Sequence, residues 1–201
     1  MHKFLGKVIA VSLLISTPLW SIAKDNLLAR LNQQYQQTLI DNHMGVMRQL
    51  AQHKLTLDLL QQRNQNPLPL TKILEIDKNW SNNQFWHNQV TNNPITEKFA
   101  KLVQAKLYGF SELMLVDTAG ALVAAYPLTS DFWQGDEEKF IVAMNKQMFS
   151  VTSANWDHST QRYSFFVTVP IQQDNLSLGA LIAGLAVTPQ YMQSLSKASQ
   201  D

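Results

Sequence analysis

From Asp25 to Arg63 the chain carries no proline, and apolar side chains recur at Leu28, Leu31, Tyr35 and Leu39, then at Val46, Leu50, Leu57 and Leu60. Spacings of three and four put these positions on one helical face. One long helix over residues 25–63 is predicted, with Asp25 able to cap its start and Asn64-Gln65-Asn66-Pro67 ending it. About 38 residues at ~1.5 Å each give a rod of roughly 57 Å. Strands of five or six residues span only ~17–20 Å, so the Leu28–Leu39 part is expected to overhang the sheet and pair with a second copy. Gly45, which costs about 1 kcal/mol inside a helix, marks an expected bend or packing contact. His43 and His53 fall on the same stripe, too far apart in sequence to sit side by side as metal ligands, and suit a helix seam better.

Residues 64–93 read as irregular, broken by Pro67, Pro69 and two Asn-Asn pairs, with a short helix near Thr71–Asp77. Asn93-Pro94 is a helix start, with the asparagine as cap and the proline at the first helical position. The helix after it, Ile95 to Leu107, stops at Gly109. Period-two patterning then takes over. Leu113–Val116, a turn at Asp117-Thr118-Ala119-Gly120, and Ala121–Tyr126 form a β-hairpin. A loop dense in polar, acidic and aromatic groups follows, from Thr129 to Glu137, and Glu137–Met148 suits a short helix closing it. Three more strands are expected: Val151–Asp157, Arg162–Ile171 and Leu178–Val187. The last is nearly all apolar and so central in the sheet. Phe165, Val167 and Val169 share one face of the second, and Ser164, Phe166 and Thr168 the other. The turn Gln172–Asn175 joins the last two, and Pro189–Lys197 reads as a closing helix.

Composition narrows the class. Hydrophobic residues make up 45% of 201, enough for a packed core. Lys3 and Lys7 precede an apolar run from Val8 to Trp20, and Ser21-Ile22-Ala23 supplies small residues for cleavage, so residues 1–23 read as an export signal cut after Ala23. The alternative is an uncleaved anchor, although the run is short for a span. Cleavage leaves 14 basic and 15 acidic residues in a single domain over 24–201, a balance that offers nucleic acid no basic surface. Cysteine is absent, which removes disulfides, thiol nucleophiles and cysteine-based zinc sites.

The candidate chemistry lies in the loop. Asp131, Trp133, Asp136 and Glu137, joined by Trp156 and Asp157 from the next strand and by Tyr163 from the one after, offer carboxylates beside ring faces. Such a set suits a cationic or amine-bearing ligand. The structural alternative makes Asp131 and Asp157 turn caps, Trp133 core, and Glu137 and Glu138 helix caps. A second chemistry gives Asp131, Asp136, Glu137 and Asp157 to a Ca²⁺-like ion as oxygen ligands, but no EF-hand spacing is present. Ser130, His158 and Ser159 form no Gly-x-Ser-x-Gly or His-Glu-x-x-His pattern, so no catalytic residue is assigned and no enzyme is expected. No cofactor or resident metal is expected.

The order of elements, α+β with a five-stranded antiparallel sheet behind a long N-terminal helix, resembles the PAS-like extracytoplasmic sensor domains called PDC or Cache domains. Thr129-Ser130-Asp131-Phe132-Trp133-Gln134-Gly135-Asp136-Glu137-Glu138-Lys139-Phe140 is similar to the T-S-D-Y-W-Q-G-D-E-x-K-W stretch of an exported stand-alone PDC group. Glu75–Trp80 resembles its L-D-x-x-W element, Trp156–Thr160 its F-D-E-S-T turn, and Val169-Pro170-Ile171 its closing strand. His158 stands where that group has an acid. The resemblance implies one domain with a long helix over 25–63, a helical region over 70–108 and a PAS-like sheet over 111–188. It also implies a periplasmic small-molecule sensor. With no second span or output domain in the sequence, such a sensor would signal by contact with a membrane sensor kinase, chemoreceptor or cyclic-dinucleotide enzyme. The alternative is a structural or assembly protein of the envelope, with no ligand and a dimer through the long helix.

Overall fold

The computed structural model describes residues 36–153, 155–157 and 162–186, with residues 155–157, 162 and 163 described by their backbone alone. The export signal, Leu28 to Tyr35 and the closing helix at Pro189–Lys197 lie outside the described residues.

The first helical segment is broken where the sequence suggests one rod. Helix α1 covers residues 36–51 and α2 covers Lys54–Gln65. The break is built by side chains. His53 takes an extended conformation (φ −64°, ψ 135°) and its Nδ1 accepts from the Leu55 N–H at 3.3 Å, making it the cap of α2. The Thr56 hydroxyl donates back across the break to the Leu50 carbonyl at 2.7 Å. Gly45 lies inside the unbroken α1, with open space where a Cβ would stand, so the bend expected there is absent. Its neighbour His43 is buried against the far end of the helical region: Nδ1 lies 2.8 Å from the Leu39 carbonyl and Nε2 2.7 Å from the Tyr108 carbonyl.

Residues 64–93 hold more helix than expected. α3 spans Leu70–Lys78 and α4 spans Gln84–Thr91, the latter started by Asn83, whose side chain accepts from Trp86 N–H. α5 runs Pro94–Gln104 as the Asn93-Pro94 signal requires, with the Asn93 side chain accepting from Ile95 and Thr96 at 3.1 and 2.9 Å.

The sheet is antiparallel throughout. Its strands are β1 (Phe110–Val116), β2 (Leu122–Tyr126), β3 (Ser150–Val151), β4 (Asn155–Asp157), β5 (Arg162–Gln173) and β6 (Leu176–Ala186). The order is β2-β1-β6-β5-β3, and β4 also pairs with β5. Five positions are thus filled by six strands, because β3 and β4 share one edge of β5. The single strand expected over Val151–Asp157 divides at Thr152. Its hydroxyl accepts from Phe166 N–H at 3.0 Å and its own N–H donates to the Phe166 carbonyl at 2.9 Å, so a side chain replaces one rung of the ladder. β6 is central, as its unbroken apolar run requires.

Alternation on the strands makes two cores. Leu113, Leu115, Phe165, Val167, Leu181 and Ala183 face α1, α2 and α5, against Leu39, Met47, Leu50, Leu60 and Phe99. Met114, Val116, Ala180 and Ile182 face the opposite side, against Ile73, Ile76 and Trp80 from α3 and the turn after it, with Phe132 and Phe140. Helix α6, Glu138–Lys146, lies on this second face. Leu39, expected to overhang, is instead 4% exposed in the first core.

A candidate ligand site at the acidic loop

The β1–β2 turn forms the first wall. Asp117 is buried and its Oδ1 accepts from the N–H groups of Ala119 and Ala121 at 2.9 and 3.0 Å. This holds the turn closed in the way the Asp-x-x-Gly sequence suggests. Burial pushes the Asp117 carboxyl above its ordinary value, opposed by those N–H groups and by the charge of Arg63.

The loop is laid back onto that turn. Leu122 N–H donates to the Phe132 carbonyl at 3.1 Å, and Gln134 N–H donates to the Gly120 carbonyl at 2.8 Å. The Trp133 indole N–H donates to the Ala119 carbonyl at 2.8 Å. Gly120 (φ +81°) and Gly135 meet backbone to backbone; a Cβ on Gly135 would stand 2.5 Å from the Ala119 oxygen and collide with the Trp133 indole. Small residues are required there by close approach.

From below, α3 supplies a clamp. Asp77 Oδ1 accepts from both Phe132 and Trp133 N–H, at 2.8 and 2.9 Å. One turn later, the Trp80 indole donates to the Thr129 carbonyl at 2.9 Å, and its ring packs 5.2 Å from Phe132. Asp77 and Trp80 are the fixed positions of the Glu75–Trp80 element noted in the sequence. Asp77 was not among the expected site residues, although it carries the loop.

The acids then gather at the start of α6. Asp131 is half-buried, and its Oδ1 accepts from the Gln134 side chain at 2.8 Å. Glu137 stands at the N-cap of α6 but makes no side-chain cap; its carboxylate pairs with Lys139 at 2.9 Å. Lys139 is itself buried, with its ammonium 4.2 Å above the Phe166 ring. Burial raises the Asp131 carboxyl above its ordinary value, opposed by the Gln134 bond and the Lys139 charge and aided by Asp77. Burial raises Glu137 likewise, opposed by Lys139 and aided by Asp131 and Asp136. Asp136 is exposed at the rim. Four carboxylates, those of Asp77, Asp131, Asp136 and Glu137, are thus electrostatically linked around one ammonium, that of Lys139.

The sheet beside this cluster is also polar. Ser164 and Thr168 flank Phe166 on the same face of β5, both at 0% exposure, and neither hydroxyl makes a hydrogen bond among the described residues. The Gln134 side-chain oxygen Oε1 is in the same state. Such groups are uncommon in a core.

Of the expected site residues, the structure brings Asp131, Trp133, Asp136 and Glu137 into one loop. Trp156 and Asp157 lie on β4, with Trp156 opposite Tyr163 and Asp157 opposite Arg162 in the ladder; their side chains lie outside the described residues. Lys139, Gln134, Ser164 and Thr168 were not expected as site residues. Lys139 and Gln134 fall within the quoted twelve-residue stretch. Among the described residues no three His, Asp or Glu side chains are grouped as metal ligands would be, and no helix is long and apolar enough to cross a membrane.

No protein-family model and no curated protein matches the chain. Among solved structures, the fold is similar to the sensor domain of the V. cholerae histidine kinase DctB, at TM-score 0.50 and 12% identity. That match covers 91% of this chain and 60% of that domain, so the chain spans about three fifths of its length. Looser likenesses are an extracellular ligand-binding receptor from Desulfohalobium retbaense (TM-score 0.47, 12% identity, 86% of this chain and 26% of that one) and the ligand-binding domain of the Pseudomonas aeruginosa amino-acid chemoreceptor PctC with GABA (0.44, 12%, 90% and 68%). The α+β architecture, helices on a five-position antiparallel sheet, is therefore shared with the DctB sensor domain. At these identities the likeness is one of fold, and function has to be argued from the site.

Proposed function

We propose that the chain is a periplasmic sensing module that binds a small amine-bearing ligand at the acidic loop and passes its state to a membrane receptor, such as a sensor kinase or chemoreceptor, by contact. The observation that carries this reading is the partly buried pair Asp131 and Glu137, with one ammonium, that of Lys139, bonded to Glu137 and acting on both. Carboxylates raised by burial gain most from an incoming cation. The buried hydroxyls of Ser164 and Thr168 give such a ligand further polar partners, and Trp133 supplies a ring face. The sensor-domain fold is consistent with this role.

The experiment is a thermal-shift panel of amines, amino acids, carboxylates and divalent metals on the protein beginning at Lys24. An amine-bearing compound should raise the melting temperature progressively with its concentration, and Asp131→Asn should abolish the rise without lowering the unliganded melting temperature. A response confined to carboxylates or to divalent metals, or an Asp131→Asn variant that responds fully, would overturn the assignment.

A further inference from the structure

A cleft lies beside β2, away from the residues of the acidic loop. Its volume is about 340 Å³, and its walls come from the end of α2, from α4 and from β2. That is the low end of the range for small-molecule pockets. Arg63 and Trp86 define it, with Leu68 and Val123 as apolar wall and the amides of Gln62 and Gln89 at the mouth. No acidic residue lines it.

Arg63 is the unusual member. A guanidinium carries five N–H donors in a fixed plane. One of these is used within the described residues, from Nη2 to the Leu122 carbonyl at 3.3 Å. The group lies 5.5 Å from the centre of the Trp86 ring, over its face. It forms no ion pair among the described residues. The acid it feels, Asp117, has its Oδ1 committed to two backbone N–H groups of the turn. Burial lowers the Arg63 pKa, so the charge is held at a cost that a bound anion would relieve.

The lining decides the anion. A single fixed guanidinium with neutral amides suits one negative charge; a phosphate dianion would want a second cation. The fork geometry matches a planar carboxylate bidentately. Leu68, Val123 and the Trp86 ring offer the rest of the ligand an apolar surface. We infer that this cleft is a second binding site, separate from the acidic loop, for a small organic monocarboxylate with an apolar body.

The test uses butyrate and benzoate as probes, read through the Trp86 indole N–H resonance assigned with Trp86→Phe. Both acids should shift that resonance saturably, while inorganic phosphate and butylamine should not. Arg63→Gln should weaken binding by roughly tenfold or more, and Asp131→Asn should leave it unchanged, which separates this site from the one at the loop. Because Arg63 also touches Leu122, a second pair guards against misfolding. Gln62 is exposed, so Gln62→Glu should weaken butyrate and Gln62→Lys should tighten it without altering the fold. The inference fails if neither acid binds at millimolar concentration, or if phosphate binds as well as benzoate. It also fails if the Gln62 pair has no opposite effect, or if only peptides with a free C-terminal carboxylate bind.

Discussion

Asp77 holds the loop from α3, and its removal has a magnitude that the structure lets one work out. One carboxylate oxygen accepts two backbone N–H groups, from Phe132 at 2.8 Å and Trp133 at 2.9 Å. Hydrogen bonds to a charged group contribute about 1.5–3 kcal/mol each. Asp77 is half-buried, so the lower figure applies, and Asp77→Ala should cost about 3 kcal/mol. Phe132 is wholly buried, so water cannot easily replace its lost partner. Asp77→Asn keeps an acceptor oxygen at the same place and loses only the charge, and should cost about 1 kcal/mol. With ~2–4 °C per kcal/mol for a chain of this size, the alanine variant should melt roughly 6–12 °C lower. Urea unfolding followed by tryptophan fluorescence gives the free energies directly. Glu75→Ala is the control: among the described residues Glu75 pairs with Lys72 at an exposed surface, and its loss should change stability by less than about 0.5 kcal/mol. If Asp77→Ala costs no more than Glu75→Ala, or if alanine and asparagine cost the same, the clamp is not what holds the loop.

Three further outcomes are expected. Asp131 and Glu137 are raised by burial, so the folded state holds their protons more tightly than the unfolded chain. Stability should therefore rise as pH falls from neutral toward the ordinary carboxylate values of 3.8 and 4.5, and be lost again as pH climbs through the raised pKa values. Urea midpoints measured across that range should show this slope, and Asp131→Asn with Glu137→Gln should reduce it to the part that Asp117, also raised by burial, contributes. Phe132→Ala should cost about 3–5 kcal/mol as a wholly buried ring. Trp133→Ala, half-buried and tied by one hydrogen bond, should cost about half as much in the same unfolding assay. Gly135→Ala should destabilise by about 1–3 kcal/mol, because its methyl would meet the Ala119 carbonyl and the Trp133 indole, and the loop should become the first site cut in limited proteolysis.

The elements legible in the sequence are those whose cause is local. Asn93-Pro94 starts a helix through its own side chain and ring, and the structure finds that helix at Pro94. The unbroken apolar run of β6 can only be buried on both faces, and β6 is central. The turn between β5 and β6 falls on Asp174 and Asn175, both at positive φ, which these residue types tolerate. What the sequence hides is decided by partners distant in the chain. The break before α2 depends on His53 and Thr56 finding the backbone at a corner, and a helical stripe runs through it without interruption. The split of the edge position beside β5 depends on Thr152 replacing a backbone rung against Phe166. At the loop, acidity and aromaticity are plain in the sequence, but Asp77 lies more than fifty residues from the N–H groups it holds. Lys139 gives even less sign of itself. Its position, beside Glu138 at the start of a helix, reads as a solvated charge until Phe166 is placed beneath it.

These contacts also say where the free energy of a bound ligand would go. The loop is held from three directions: by Asp77, by the Ala119 and Gly120 carbonyls of the hairpin turn, and by the packing of Phe132 and Trp80. Opposing them is the burial of the Asp131 and Glu137 carboxylates, whose lost solvation Lys139 and, at Asp131, the Gln134 side chain only partly replace. A cation that compensates these buried charges strengthens the loop without making any contact to Asp77 or the turn, because all the anchors hold the same short segment. An anion on Arg63 acts on the turn from the opposite side, by weakening the attraction that Arg63 exerts on Asp117. The two proposed sites therefore meet at Asp117 to Ala121, which closes the hairpin through Asp117 and receives the loop through Ala119 and Gly120. Any coupling carried by this segment acts by the same factor in both directions. Its sign follows from Asp117. An anion at Arg63 leaves the Asp117 charge less compensated, so the closed turn is weakened, and a carboxylate in the cleft should oppose an amine at the loop.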